Sequence, residues 1–385
     1  MERRSYLSAV GVVGAGALGG CLSEPPEQST QAGITVERVV EGLTHPWGLA
    51  AGGPNDALLV TERDPGRLQQ VDPNAGTATE ISGVPAVDAA GQGGLLDVTW
   101  GPDDSWVYLT YAIAAEDGTT TRLARGRLDA GGDRLTNFET LYTAEPAVDS
   151  SGHYGSRVTF GPEGYLYMTV GDRQFKNFGP EHVAQDRGND LGTTLRLGAD
   201  GSIPADNPFV DEEAAQDAIY SYGHRNAQGL DVHPETGAIW ESEFGESDGD
   251  EINVIERGGN YGWPIADEGC TYGTGQPIGV SHADREDVIG PVFGWPCGED
   301  GPAPSGMTFY DGEAFPAWQG DLFVGGLAGQ RLVHLGIDGH DVTLREPLVA
   351  DRGWRVRAVA VGPEGGLYLA IDDGSAPIVR LLPDT

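Results

Sequence analysis

Residues 161–172 read GPEGYLYMTVGD, a tight Gly/Pro turn that runs into a short aromatic and β-branched strand and stops at Gly-Asp. The same design recurs as GGPNDALLVTER from Gly52, GPDDSWVYLTY from Gly101, HPETGAIWESEFG from His233, FPAWQGDLFVGG from Phe315 and GPEGGLYLAIDD from Gly362. Each copy reads as one hairpin, because Pro, Asp and Gly suit the turn and the run behind it has the length and residue types of a strand. Six such units at unequal spacing imply a repeated sheet. A radial array of four-stranded sheets accommodates them in about 350 residues. The expected fold class is all-β, a six-bladed β-propeller, with a large β-sandwich as the competing architecture. Helical periodicity is scarce. Only 214–218, AAQDA, reads as a short helical turn, and 36–40 reads as a strand closing the ring against the last blade.

The non-repetitive residues collect in the longer gaps between turns, from Arg173 to Ile219 and from Asn260 to Ala314. Insertions on one face of a propeller usually build its site.

Lysine plus arginine total 23 against 59 acids, for a net charge of -36. A disordered acidic chain is excluded, since 39% hydrophobic residues are spread along the sequence and no long acidic block occurs. The charge reads as a solvated, halophile-like coat, with cation sites as the other use of so many carboxylates. Lys176 is the only lysine, which suits a surface that avoids long, strongly hydrated ammonium stems. Nucleic acid and anionic membranes are repelled by such a surface.

Residues 1–21 read as a targeting segment: Arg3-Arg4 opens a twin-arginine pattern, and the apolar run behind it is too short for a permanent span. Leu18-Gly19-Gly20-Cys21 resembles a lipobox, which predicts an exported protein anchored by lipid at Cys21 to the outer face of the cytoplasmic membrane; an unprocessed leader with a free cysteine is the alternative. Residues 22–34 then form a flexible tether, and 35–385 the propeller. Export permits a disulfide between Cys270 and Cys297, which flank a Gly- and Pro-rich loop, although two unrelated thiols remain open.

Cations are scarce, so their clustering is informative. Arg355 and Arg357 in GWRVRAV fall on one face of a strand, and Arg225 sits in GHRN. Three guanidinium forks suit a planar polycarboxylate, while structural ion pairs to the abundant acids are the plainer use. His153, just before a strand, has the chemistry of a general base but is equally a structural histidine, and His45 and His224 are open in the same way. Gln92 lies between glycines that allow close approach to the backbone. Residues 243–251, EFGESDGDE, offer oxygens around two glycines for a hard cation such as Ca²⁺, or form an ordinary solvated loop.

The segment 221–264, with GHRNAQGL, GDEINVIERGGNYGWP and the acidic loop, resembles the soluble pyrroloquinoline quinone (PQQ)-dependent aldose sugar dehydrogenases, whose pattern is GHRNPQGL, E-x-G-P-x-x-x-D-E-x-N-x-I and NYGWP. GQGGLLDV, HYGSRVTFGPEGYLYMTVGDR, PSGMTFY and GWRVRAV follow the family in the same order from about Val36 to the C-terminus. The resemblance implies His153 as catalytic base, Gln92, Arg225, Asn226, Arg355 and Arg357 as cofactor and substrate contacts, and the carbonyls of Gly245 and Glu246 as holders of a catalytic Ca²⁺. It places Glu251 and Tyr261 at a second, structural calcium. The implied activity is oxidation of the C1 hydroxyl of aldoses to lactones with PQQ and Ca²⁺, Arg225 stabilising negative charge and electrons passing to an external acceptor. NAD is not expected, as no strand-GxGxxG-helix unit occurs.

Three positions depart from the family. Gly326-Leu327-Ala328-Gly329 stands where S-L-K-G-x-x-L supplies a lysine, Glu246 replaces proline, and Gly152 replaces an aspartate found in some relatives. A calcium-dependent lactonase and a non-catalytic propeller binding glycan or protein at the cell surface are the rival readings.

Overall fold

The computed structural model describes residues 30–31 and 33–384 except 53–55 and 104, so the expected leader and Cys21 lie outside the described residues. Six antiparallel sheets follow one another along the chain. The first blade comprises Pro46–Ala50, Leu58–Glu62, Arg67–Asp72 and Thr77–Ile81. The second comprises Leu95–Trp100, Val107–Ala115, Gly118–Leu128 and Leu135–Thr143. Val158–Phe160, Leu166–Val170, Thr193–Leu197 and Ile219–Tyr222 form the third. Ala227–Val232, Ile239–Glu243, Asp250–Ile255 and Phe293–Trp295 form the fourth. The fifth is Pro304–Phe309, Leu322–Gly326, Arg331–Asp338 and Asp341–Leu344. In the sixth, Val356–Val361, Leu367–Ile371 and Ala376–Pro383 are joined by the N-terminal Ile34–Leu43, paired from Ile34 with Pro383 to Leu43 with Ala376. The first strands of the six blades touch in sequence around a ring that returns to the first. The architecture is the six-bladed β-propeller.

All six sequence turns fall on the hairpin between the first and second strand of a blade. Those second strands explain where the core lies. Leu367, Leu369 and Ile371 pack toward the fifth blade, while the alternate residues Tyr368 and Ala370 pack toward the first. Burial of both faces turns the usual alternation into a near-continuous apolar run, LYLAI. The apolar core is thus distributed as seams between blades. Residues 214–218 form turns, not helix: Ala215 N–H bonds to Glu212 O and Ile219 N–H to Gln216 O, single turns that are not continued. No helix among the described residues is long and apolar enough to cross a membrane.

Arg157 divides the channel. Its guanidinium donates to Asp97 Oδ1 at 2.9 Å, to Gln228 O at 2.5 Å and to Arg357 O at 2.9 Å, and lies 4.0 Å from the centroid of the Trp47 ring. One side chain therefore ties five blades together. On one side of it is a cavity of about 310 Å³ among the later residues of the first strands, and on the other a cavity of about 670 Å³ where those strands begin.

Candidate active site

The larger cavity gathers His153, Gln92, Arg225, Asn226, Arg355 and Arg357 from separate blades, together with Gly245 from the acidic loop. The two long gaps in the turn pattern contribute Gln174 and Lys176, and Tyr272 and Ala303, to the same wall.

His153 has left-handed backbone (φ 46) and is held there by Gln92, whose Oε1 accepts its N–H at 2.9 Å. Gly91 makes that approach possible: a Cβ there would lie 2.4 Å from Ser151 O. The His153 Nδ1 is 2.7 Å from Asp172 Oδ1, so Nδ1 carries the proton and Nε2 is the basic nitrogen of a side chain that lines the cavity. Asp172 is held in turn by Trp263 Nε1–H at 2.8 Å. Burial lowers the His153 pKa from its ordinary value; Asp172 opposes the shift, while Arg225 and Lys176 add to it. Burial raises the Asp172 pKa, but His153 and Arg225 outweigh it and leave the carboxyl below its ordinary range. The pair is a neutral imidazole against a carboxylate.

Arg225 is 4% exposed and donates to Phe244 O at 3.2 Å and to Glu246 Oε2 at 2.5 Å. Its backbone N–H is fixed by Glu243, whose carboxylate also meets His224 Nδ1 at 3.0 Å. Burial disfavours charge on His224, yet Glu241 and Glu243 carry its pKa up to about 10. His224 is thus a buried imidazolium within the GHRN segment, a role its sequence does not disclose. Asn226 Oδ1 accepts from Gly155 N–H at 3.1 Å. Arg357 donates to Gln228 Oε1 at 2.6 Å and to Asp372 Oδ2 at 3.0 Å, and Arg355 Nη2 is 3.5 Å from the same oxygen. Arg355 immediately precedes the strand that holds Arg357, and both line the cavity. Ala328 lines it as well, at the place of the missing lysine.

The loop at Gly245 fits a hard cation. Among the described residues neither the Gly245 nor the Glu246 carbonyl accepts a hydrogen bond, and Gly245 lines the cavity. A Cβ on Gly245 would fall 2.1 Å from Asp248 O, so the turn needs glycine. Glu246 is raised by burial but lowered more by Lys176 and Arg225, and is ionised.

Glu251 and Tyr261 do not line this cavity. Tyr261 O is 3.1 Å and Glu251 Oε1 4.0 Å from His282 Nε2, and Glu251 Oε1 has no hydrogen-bond partner. Burial, with Asp267 and Glu243 beside it, raises Glu251 well above the carboxylate range; burial likewise brings Asp267 to about 8. An orphaned carboxylate oxygen among other buried acids is the donor set of a hard cation.

Cys270 and Cys297 are joined in a disulfide with Cα atoms 5.4 Å apart, closing the loop that presents Tyr272. Gly152, the third departure, packs under Gln174: an added Cβ would meet that side chain at 2.3 Å.

Residues 43–380 match the model of the family described as glucose/sorbosone dehydrogenase. The aldose sugar dehydrogenase YliI of Escherichia coli (strain K12) is 38% identical over 359 residues, covering 91% of this chain and 94% of that protein. Among solved structures, the soluble aldose sugar dehydrogenase of Escherichia coli in its apo form superposes with a TM-score of 0.85 at 36% identity, over 91% of this chain and all (100%) of that one. The PQQ-bound form of aldose sugar dehydrogenase from Streptomyces coelicolor gives a TM-score of 0.74 at 29% identity, over 92% of this chain and 100% of that one. The chain therefore belongs to the glucose/sorbosone dehydrogenase family.

Proposed function

We propose that this protein oxidises the C1 hydroxyl of aldose sugars to lactones with PQQ and Ca²⁺, passing the electrons to an external acceptor. The observation that carries the reading is a buried His153–Asp172 pair facing a cavity walled by Arg225, Arg355 and Arg357. When bound, PQQ with Ca²⁺ supplies a polarised two-electron acceptor for the C1 hydride.

The chain's own residues do the rest. Nε2 of His153 takes the proton of the C1 hydroxyl as the C1–H bond breaks with its electron pair and the lactone carbonyl forms. Asp172 fixes the required tautomer and stabilises the imidazolium that results. Arg225, buried against Trp263, stabilises negative charge developing in the cavity, where it acts without reorganising water. Arg355 and Arg357 offer guanidinium forks to carboxylates, and Asn226 a side-chain amide. Arg157 and Trp47 close the floor and limit entry to one end of the channel.

Anaerobic single turnover tests the reading. Protein loaded with PQQ and Ca²⁺ should reduce the quinone chromophore on mixing with an aldose and form one lactone per quinone. Lactone hydrolysis without any redox change would instead identify a lactonase. Export and lipid attachment at Cys21 belong to the same proposal and rest on the leader sequence; the mass of the native N-terminal peptide tests them.

A further inference from the structure

The two cations on the Gly245 side of the cavity share one acid. Lys176 Nζ donates to both oxygens of Glu246 at 2.7 and 2.6 Å, and Arg225 Nη2 reaches Oε2 of the same carboxylate at 2.5 Å. Glu246 is the fixed member, with a side chain 5% exposed, whereas the Lys176 side chain is 52% exposed. Lys176 and Ala328 line the same cavity, one from the third blade and one from the fifth.

We infer that Glu246 is a placeholder anion that poises Lys176 and Arg225 for a carboxylate of the bound cofactor, and that its own oxygens then serve the divalent cation beside the Gly245 carbonyl. Lys176 thereby supplies, from the third blade, the cationic contact absent at Ala328. The inference rests on the proposed function and concerns how that site is loaded.

The charges dictate the order of events. A polycarboxylate entering alone must draw Lys176 and Arg225 away from a buried carboxylate, and removing the partners of a buried ion is costly. A divalent cation entering alone meets the positive charge of Lys176 and Arg225 within bonding distance of the same carboxylate. When both enter, the lysine and arginine pair with the ligand and the cation pairs with Glu246, so no charge is left alone. Cation and cofactor should therefore bind with positive coupling, equal in both directions by linkage. An uncharged side chain at 246 removes this contribution and leaves only the direct attraction between cation and cofactor.

Isothermal titration of Ca²⁺ with and without PQQ, and of PQQ with and without Ca²⁺, tests this on the wild-type chain, Glu246→Gln and Lys176→Met, with melting curves to confirm folding. The wild type is expected to show coupling of about tenfold or more. Glu246→Gln should reduce it severalfold, and Lys176→Met should weaken PQQ about tenfold. Wild-type coupling retained in Glu246→Gln, or wild-type PQQ affinity retained in Lys176→Met, would overturn the inference and leave the proposed function standing. No PQQ binding by any of the three folded proteins would overturn both.

Discussion

Nδ1 of His153 lies 2.7 Å from Oδ1 of Asp172, while the other Asp172 oxygen accepts the Trp263 indole N–H at 2.8 Å. The carboxylate is thereby aimed from both sides and fixes which imidazole nitrogen is basic. Asp172→Asn offers Nδ1 an amide N–H and so moves the ring proton to Nε2. We expect kcat/KM for an aldose to fall by about 100-fold or more, with the fold and PQQ affinity retained. Activity within a fewfold of wild type would mean that His153 is not the base.

The pH profile follows from the same contacts. Burial, reinforced by Arg225 and Lys176, holds the His153 pKa below its ordinary 6.5. The base form is therefore present at neutral pH, and activity is lost only as pH falls through the lowered pKa. The acid limb of kcat/KM is expected below 6.5, and Lys176→Met, which removes a positive neighbour, should move that limb to higher pH.

The proposed second cation site at Glu251 is testable through stability. Burial and the nearby Asp267 disfavour charge on a carboxyl whose Oε1 has no hydrogen-bond partner, and a bound cation would reverse that preference. Calcium at a hundredfold excess over its Kd should stabilise the wild type by about 2.7 kcal/mol in thermal melts, and EDTA should reverse the gain. In Glu251→Gln the calcium-dependent shift is expected to shrink, with apo stability unchanged or improved because a neutral amide takes the place of a carboxyl whose charged form burial disfavours. An equal calcium shift in both proteins would place the cation elsewhere.

The floor of the cavity depends on an ion pair. Asp97 is 5% exposed and Arg157 likewise 5%, and Asp97→Ala leaves a buried guanidinium short of its counter-ion. Urea unfolding is expected to show a loss of about 3–5 kcal/mol. A loss under 1 kcal/mol would mean that water or a neighbouring group replaces the carboxylate without cost.

The disulfide links stability to the site. It closes a loop of sequence separation 27 from Cys270 to Cys297, which on loop-closure entropy contributes about 3.5 kcal/mol. Cys270→Ser with Cys297→Ser should lower stability by that order and raise KM for the sugar, since Tyr272 on the same loop lines the cavity.

The fold was legible because each blade repeats one local signal, a Gly/Pro turn before a strand buried on both faces. The closing strand was legible as well, from Val36 to Val40. Candidate residues carried by motifs, Gln92, His153, Arg225, Asn226, Arg355 and Arg357, converge on one cavity, so their grouping was legible. Asp172 was not, because it ends a repeat as an ordinary Gly-Asp and its partner Trp263 is 91 residues away. Lys176 stands out in the sequence as the sole lysine, but its contact with Glu246 spans 70 residues across two irregular excursions that no periodicity predicts. The turns at 214–218 misled for a simple reason: alanine favours helix, and five residues are too few to nucleate one against the loop closing around them.

The central claim is that His153 is the base in a quinone- and calcium-dependent sugar oxidation. Its most direct test is dye reduction by the domain lacking residues 1–21, in high salt, with an aldose panel, comparing wild type, wild type with EDTA and His153→Ala. The account predicts turnover that requires both PQQ and Ca²⁺, is abolished by EDTA and falls by about 100-fold or more in His153→Ala. A folded wild-type protein that binds no PQQ and reduces no dye with any aldose would contradict it and point to a propeller that binds without catalysis.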